Sequence, residues 1–143
     1  MAHTVLVPTD GSPQSREAIE YAMREFSDAE FVALTVLNPT EMGAGGTEMG
    51  MASYADEWMD AEEERAEKRF EELGTLAAEH GVTLDGETII GRPARAIVDY
   101  AEEHDIDQIV MGSHGRDGVS RILLGSVAET VVRRSPCPVT VVR

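Results

Sequence analysis

Two glycine clusters late in the chain carry the residue types that hold a phosphate. Gly112-Ser113-His114-Gly115 is followed, after nine residues, by Gly125-Ser126. Glycine lets a backbone turn tightly and approach a ligand with no side chain in the way. Gly125-Ser126 precedes an apolar-periodic run, so it opens a helix whose first amide N–H groups and positive dipole end form an anion site. The Ser126 hydroxyl adds a further donor, and Arg116 and Arg121 lie between the clusters. A phosphate chain fits between the two bends, held mainly by backbone amides. The pattern is not a Walker A motif, because no Gly-Lys-Ser/Thr follows and the one lysine, Lys68, lies elsewhere. Nor is it the dinucleotide fingerprint, which follows a first strand. Without a lysine clamp, such a site suits binding better than rapid phosphoryl transfer. A plainer reading stays open at this point. Ser126-Val127-Ala128-Glu129 also fits a Ser-x-x-Glu capping box, and Gly112 and Gly115 also fit ordinary strand-to-helix turns.

A second candidate is Asp10, in Pro8-Thr9-Asp10-Gly11, turn chemistry at the end of a short apolar run. Its carboxylate either meets a ligand or orders its own turn. The remaining chemistry-bearing residues are scattered. His3, His80 and His104 share no metal-ligand spacing, and Cys137, between two prolines, reads as a small packing residue.

The elements that position these residues alternate regularly. Thr4–Val7 is a first strand, and Ser12 before Pro13 starts a helix with Ala18, Ile19, Ala22, Met23 and Phe26 on one face. Phe31–Leu37 is a near-continuous apolar strand of the kind buried on both faces. Asn38–Ser53, with four glycines and three methionines, predicts a loop. A long helix follows from about Tyr54 to His80. Trp58, Ala66, Phe70, Leu73 and Ala77 form its narrow apolar stripe, a glutamate-rich face covers the rest, and Gly81 closes it. Strands at Thr83–Ile90, Asp107–Met111 and Val139–Val142 then alternate with helices after Gly91-Arg92-Pro93 and from Gly125-Ser126. Five strands alternating with four helices predict an α/β fold, one domain over residues 1–143 with an open parallel sheet and helices on both faces. A ligand in such a sheet sits beyond the carboxyl ends of the strands, where strand order reverses.

Charge narrows the partners. The chain has 143 residues, 27 acids and 12 bases, for a net charge of −15. Residues 1–91 hold 20 of the acids and 5 of the bases, whereas residues 92–143 hold 7 of each. A body so negative repels nucleic acid and anionic lipid, so neither is an expected partner, and an anionic ligand belongs in the balanced C-terminal part. Many carboxylates with a single lysine point to adaptation to high salt. One cysteine leaves no intrachain disulfide, and the apolar runs are far shorter than a bilayer span. The start of the chain runs straight into a strand with no basic-then-apolar leader, so a cytoplasmic setting is expected.

The glycine pattern, Ser135-Pro136-Cys137-Pro138-Val139-Thr140-Val141-Val142, the opening Val7-Pro8-Thr9-Asp10-Gly11-Ser12, and Gly91-Arg92-Pro93 together resemble the universal stress protein family over essentially the whole chain. The resemblance implies strand order 3-2-1-4-5, a Rossmann-like arrangement similar to the adenine nucleotide alpha hydrolases. Its ATP-binding branch carries Gly-x2-Gly-x9-Gly-Ser/Thr, which this chain matches. Carried over by position, Pro8, Thr9 and Asp10 would line the nucleoside end. Val36 would meet adenine through its backbone, with Met111 nearby. Gly112, His114, Gly115 and Arg116 would border ribose and phosphates, and Gly125, Ser126 and Val127 would take the phosphates. The implied cofactor is ATP, or AMP or ADP, with magnesium or manganese left open. The implied partner is a second copy paired through the last strand, Val139–Val142, which would otherwise be an exposed edge. The expected function is that of an adenine-nucleotide-binding regulator of the stress response, acting on a protein client the sequence does not identify. The alternatives are a slow ATP-hydrolysing or phosphoryl-transferring enzyme on the same site and a protein-binding module that holds no nucleotide.

Overall fold

Successive side chains of the central strands enter two separate cores, one on each face of the sheet, and this fixes the layers. In the computed structural model, which describes residues 3–42, 51–113 and 124–143, β1 (Thr4–Pro8), β2 (Glu30–Leu37), β3 (Thr83–Ile90), β4 (Gln108–Gly112) and β5 (Val139–Val142) form one parallel sheet in the order β3-β2-β1-β4-β5. Val5, Val7, Phe31, Ala33 and Val110 point to one face; Leu6, Leu34, Ile109 and Met111 point to the other. Both sets are buried, which is why these runs read as continuous rather than alternating.

The helices cover those two faces in pairs. α1 (Pro13–Glu25) and α2 (Met51–His80) close the first face with Ala18, Ile19, Met23, Leu73 and Ala77. α3 (Pro93–Glu103) and α4 (Ser126–Arg134) close the second with Ile97, Tyr100, Ala101, Ala128 and Val131. Each crossover therefore delivers its helix to the face that the apolar stripe requires.

The helix starts follow local chemistry. Ser12 caps α1, its hydroxyl accepting from the Ser15 N–H at 3.1 Å, with Pro13 in the first turn. Gly81 follows α2 at φ +69°. Within the predicted Asn38–Ser53 loop, Pro39–Met42 forms a 3-10 turn, α2 already begins at Met51, and residues 43–50 lie outside the described residues. The carboxyl half of α2 buries Ala66, Leu73, Leu76 and Ala77, and Phe70 packs over Gly86 of β3, where a Cβ would stand 2.3 Å from the ring. From Tyr54 to Arg65 no residue is fully buried, and Ala55, Trp58, Met59, Ala61 and Glu62 are half-buried. At the far end of the sheet, Ser135 folds the turn before β5 by hydrogen bonding both the N–H and the carbonyl of Cys137, which packs on the second face as a small apolar group.

Candidate functional site

The carboxyl ends of β1 and β4 lie side by side, because β1 pairs with β2 on one flank and β4 on the other. This is the reversal of strand order at which open α/β sheets take ligands. The turn after β1 is tied down by its own hydrogen bonds. The Thr9 N–H donates to the Leu34 carbonyl at 2.8 Å, and Thr35 Oγ1 donates to the Thr9 carbonyl at 3.0 Å. Asp10 Oδ1 accepts from the Ser12 N–H at 2.9 Å, so one carboxylate oxygen does order the turn. Gly11 completes it at φ +84°, a conformation that favours glycine.

On the other side of the reversal, β4 ends at Gly112. Its lack of a side chain has a packing cause. A Cβ there would stand 3.0 Å from the Gln14 carbonyl oxygen, so the start of α1 rests directly on the end of β4. Ser113 is buried, its N–H bonded to the Val142 carbonyl at 2.9 Å. Its own carbonyl accepts from the Gly125 N–H at 2.8 Å. That last bond draws the amino end of α4 to the end of β4.

The start of α4 differs from the capping-box expectation. The N-cap is Gly125, with extended φ −63° and ψ 157°, and Ser126 is already the first helical residue. The Glu129 N–H goes to the Gly125 carbonyl at 3.0 Å, and no side chain of the cap accepts from the first turn. A hydroxyl one residue earlier would have filled that role. Glycine leaves the leading amides of α4 uncapped by its own side chain, which is the arrangement an anion uses.

The predicted residues thus fall as follows. Pro8, Thr9 and Asp10 lie at the end of β1, Val36 is half-buried near the end of β2, and Met111 is buried in the second core beside Leu34 and Ala128. Gly112 ends β4, while Gly125, Ser126 and Val127 open α4. His114, Gly115 and Arg116 lie outside the described residues. Two further residues join the β1 side. Arg69 of α2 donates from Nη1 to Thr35 Oγ1 at 3.2 Å, and its guanidinium lies over Gly11. The sequence did carry a signal for Arg69: a cation three residues after Ala66 and four before Leu73 interrupts the apolar stripe. Thr35, inside an apolar strand, carried none.

A separate groove of about 420 Å³ runs between β3 and α3, lined by Glu87, Ile90, Arg92, Arg95, Tyr100 and His104. There the Tyr100 hydroxyl donates to Glu87 and its ring stacks on His104, with centroids 3.9 Å apart. Burial, reinforced by the Glu87 hydrogen bond and charge, pushes the Tyr100 phenol well above its usual range. Among the described residues no three potential metal-ligating side chains gather, and no helix is long and apolar enough to cross a membrane.

A five-stranded parallel sheet in this order, with a glycine-capped helix drawn to the reversal, defines a Rossmann-like α/β protein. The chain belongs to the universal stress protein family, whose model matches residues 1–143. A universal stress protein of Methanocaldococcus jannaschii is 39% identical over 142 residues, 97% of this chain and 81% of the relative. Among solved structures, the universal stress protein UspA from Lactobacillus plantarum superposes with a TM-score of 0.86 at 30% identity, covering 99% of this chain and 97% of that one. A universal stress protein crystallised in complex with cAMP superposes with a TM-score of 0.65 at 27% identity, covering 99% of this chain and 97% of that one.

Proposed function

We propose that this protein is an adenine-nucleotide-binding regulator of the stress response, with ATP as its ligand and the crevice between β1 and β4 as its site. The observation that carries this reading is the start of α4. Glycine occupies the cap, and the Gly125–Ser113 hydrogen bond brings those amides to the strand-order reversal. The relative solved with cAMP supports an adenine nucleotide as the ligand class. In this reading Pro8, Thr9 and Asp10 line the nucleoside end, and the Val36 backbone meets adenine with Met111 behind it. Gly112, His114, Gly115 and Arg116 border ribose and phosphates, and Gly125, Ser126 and Val127 receive the phosphates. Two copies pair through β5, whose four residues are all partly exposed at the sheet edge. The protein acts in the cytoplasm.

Titration calorimetry of the purified protein with ATP, AMP and cAMP, each with and without magnesium, tests the site. One nucleotide per chain is expected, and heats no larger than those of dilution for all three would sink the reading. Native mass spectrometry of the same sample gives the subunit number, for which two is expected.

A further inference from the structure

Taking the crevice as the nucleotide site, we infer that Arg69 of α2 is the positioning residue that sets the shape of its nucleoside end. The hydrogen bonds run in one direction. Thr35 Oγ1 gives its single proton to the Thr9 carbonyl, at 3.0 Å. That oxygen can then only accept, and it accepts from Arg69 Nη1, at 3.2 Å. A guanidinium is always a donor, so the polarity of the relay from α2 through β2 to β1 is fixed. Thr35 and Thr9 are 5% and 6% exposed, so removing a member leaves a buried polar group to be satisfied some other way.

A second contact places Arg69 at the same turn. A Cβ on Gly11 would stand 2.6 Å from Arg69 Nη2. The guanidinium therefore presses on the turn that carries Asp10 and is bonded to the hydroxyl of Thr35, the residue before Val36. Asp10 and Val36 are among the residues assigned to the nucleoside end. An arginine half-buried within an apolar stripe loses hydration, and its contacts there include Thr35 and the Gly11 turn. Arg69 thus acts through Thr35 and the Thr9–Gly11 turn.

A double-mutant cycle tests this. Affinities for ATP and adenosine are measured by calorimetry for the full chain, Arg69→Met, Thr35→Val and the double variant, with circular dichroism to confirm that each is folded. Each single variant is expected to weaken both ligands by a similar factor, about tenfold. The double variant is expected to lose no more than either single one, because both break the same relay. Thr35→Ser keeps the hydroxyl and should bind within about twofold of the parent. Losses that multiply to about a hundredfold, a loss confined to ATP, or Thr35→Ser binding as weakly as Thr35→Val would each overturn the inference. Unchanged affinity in folded Arg69→Met would overturn it while leaving the crevice reading intact. A parent protein that binds neither ligand overturns the crevice reading first. Should Arg69→Met not fold, Arg69→Gln and the two Thr35 variants decide by the same comparisons.

Discussion

At Gly112 the Gln14 backbone occupies the space a side chain would need, 3.0 Å from the position of a Cβ. Neither the helix nor the strand can yield there without shifting the other, so Gly112→Ala is expected to cost about 1–3 kcal/mol, read as a lower urea midpoint at unchanged slope. An unchanged midpoint would mean that α1 moves aside freely. The glycine was legible in the sequence, but its partner was not. Spacing marks a residue without a side chain and says nothing of which surface claims the vacated space. The same limit hid the Thr35 and Arg69 contact, which joins residues 34 positions apart. Tyr100 makes a different kind of prediction at this scale. Its phenol is held protonated in the folded state by burial and by Glu87. The stability it contributes is complete below the ordinary tyrosine value of 10.0 and is lost as pH rises above it, because the unfolded chain then releases a proton that the folded chain retains. Thermal melts from neutral pH upward should therefore show the parent protein losing stability above about pH 10 more steeply than Tyr100→Phe. Parallel pH profiles for the two proteins would remove this role.

Among the elements, α4 is the one whose entrance decides the proposed function. Gly125 has an extended, negative-φ backbone that a β-branched residue also adopts, so Gly125→Val is compatible with the helix while placing two methyl groups at its amide end. Nucleotide affinity is expected to fall by at least about a hundredfold, since backbone approach of the phosphates is blocked, with little change in the far-ultraviolet circular dichroism. A folded Gly125→Val protein that binds ATP as the parent does would remove the phosphate assignment. Most element boundaries were legible because the physics is local: central strands buried on both faces read as continuous apolar runs, and Ser12-Pro13 marks the start of α1. The exceptions have physical causes. Ser126-x-x-Glu129 matched a capping box by residue type, yet Gly125 is the N-cap and Ser126 already the first helical residue, so the helix starts one residue earlier than that pattern assumes. The early start of α2 at Met51 was hidden because Met51 directly follows the interleaved glycines and methionines that read as a loop up to Ser53.

Across the whole molecule, the net charge of −15 is carried by residues 1–91, and close to half of it by α2. Glu63, Glu64, Glu67, Glu71 and Glu72 are exposed along α2, and its Lys and Arg residues are few: Lys68 is exposed among them, Arg65 is engaged with Glu62, and Arg69 turns inward to Thr35. Like charges on one exposed helix face repel over a Debye length of ~10 Å at ~0.1 M salt, which falls to ~3 Å at ~1 M. The folded state concentrates these charges and the unfolded state spreads them, so screening should favour the fold. The melting temperature is accordingly expected to rise by several degrees or more between about 0.1 M and about 2 M potassium chloride. Chloride is the informative salt, because sulfate strengthens apolar burial in any protein. A triple variant, Glu63→Gln, Glu64→Gln and Glu67→Gln, separates screening from other salt effects. It should melt above the parent at low salt and converge with it at high salt, since the charges it removes are those the salt would have hidden. A parent melting temperature flat in potassium chloride, or a variant whose advantage persists at high salt, would show that self-repulsion does not govern the stability of this acidic surface.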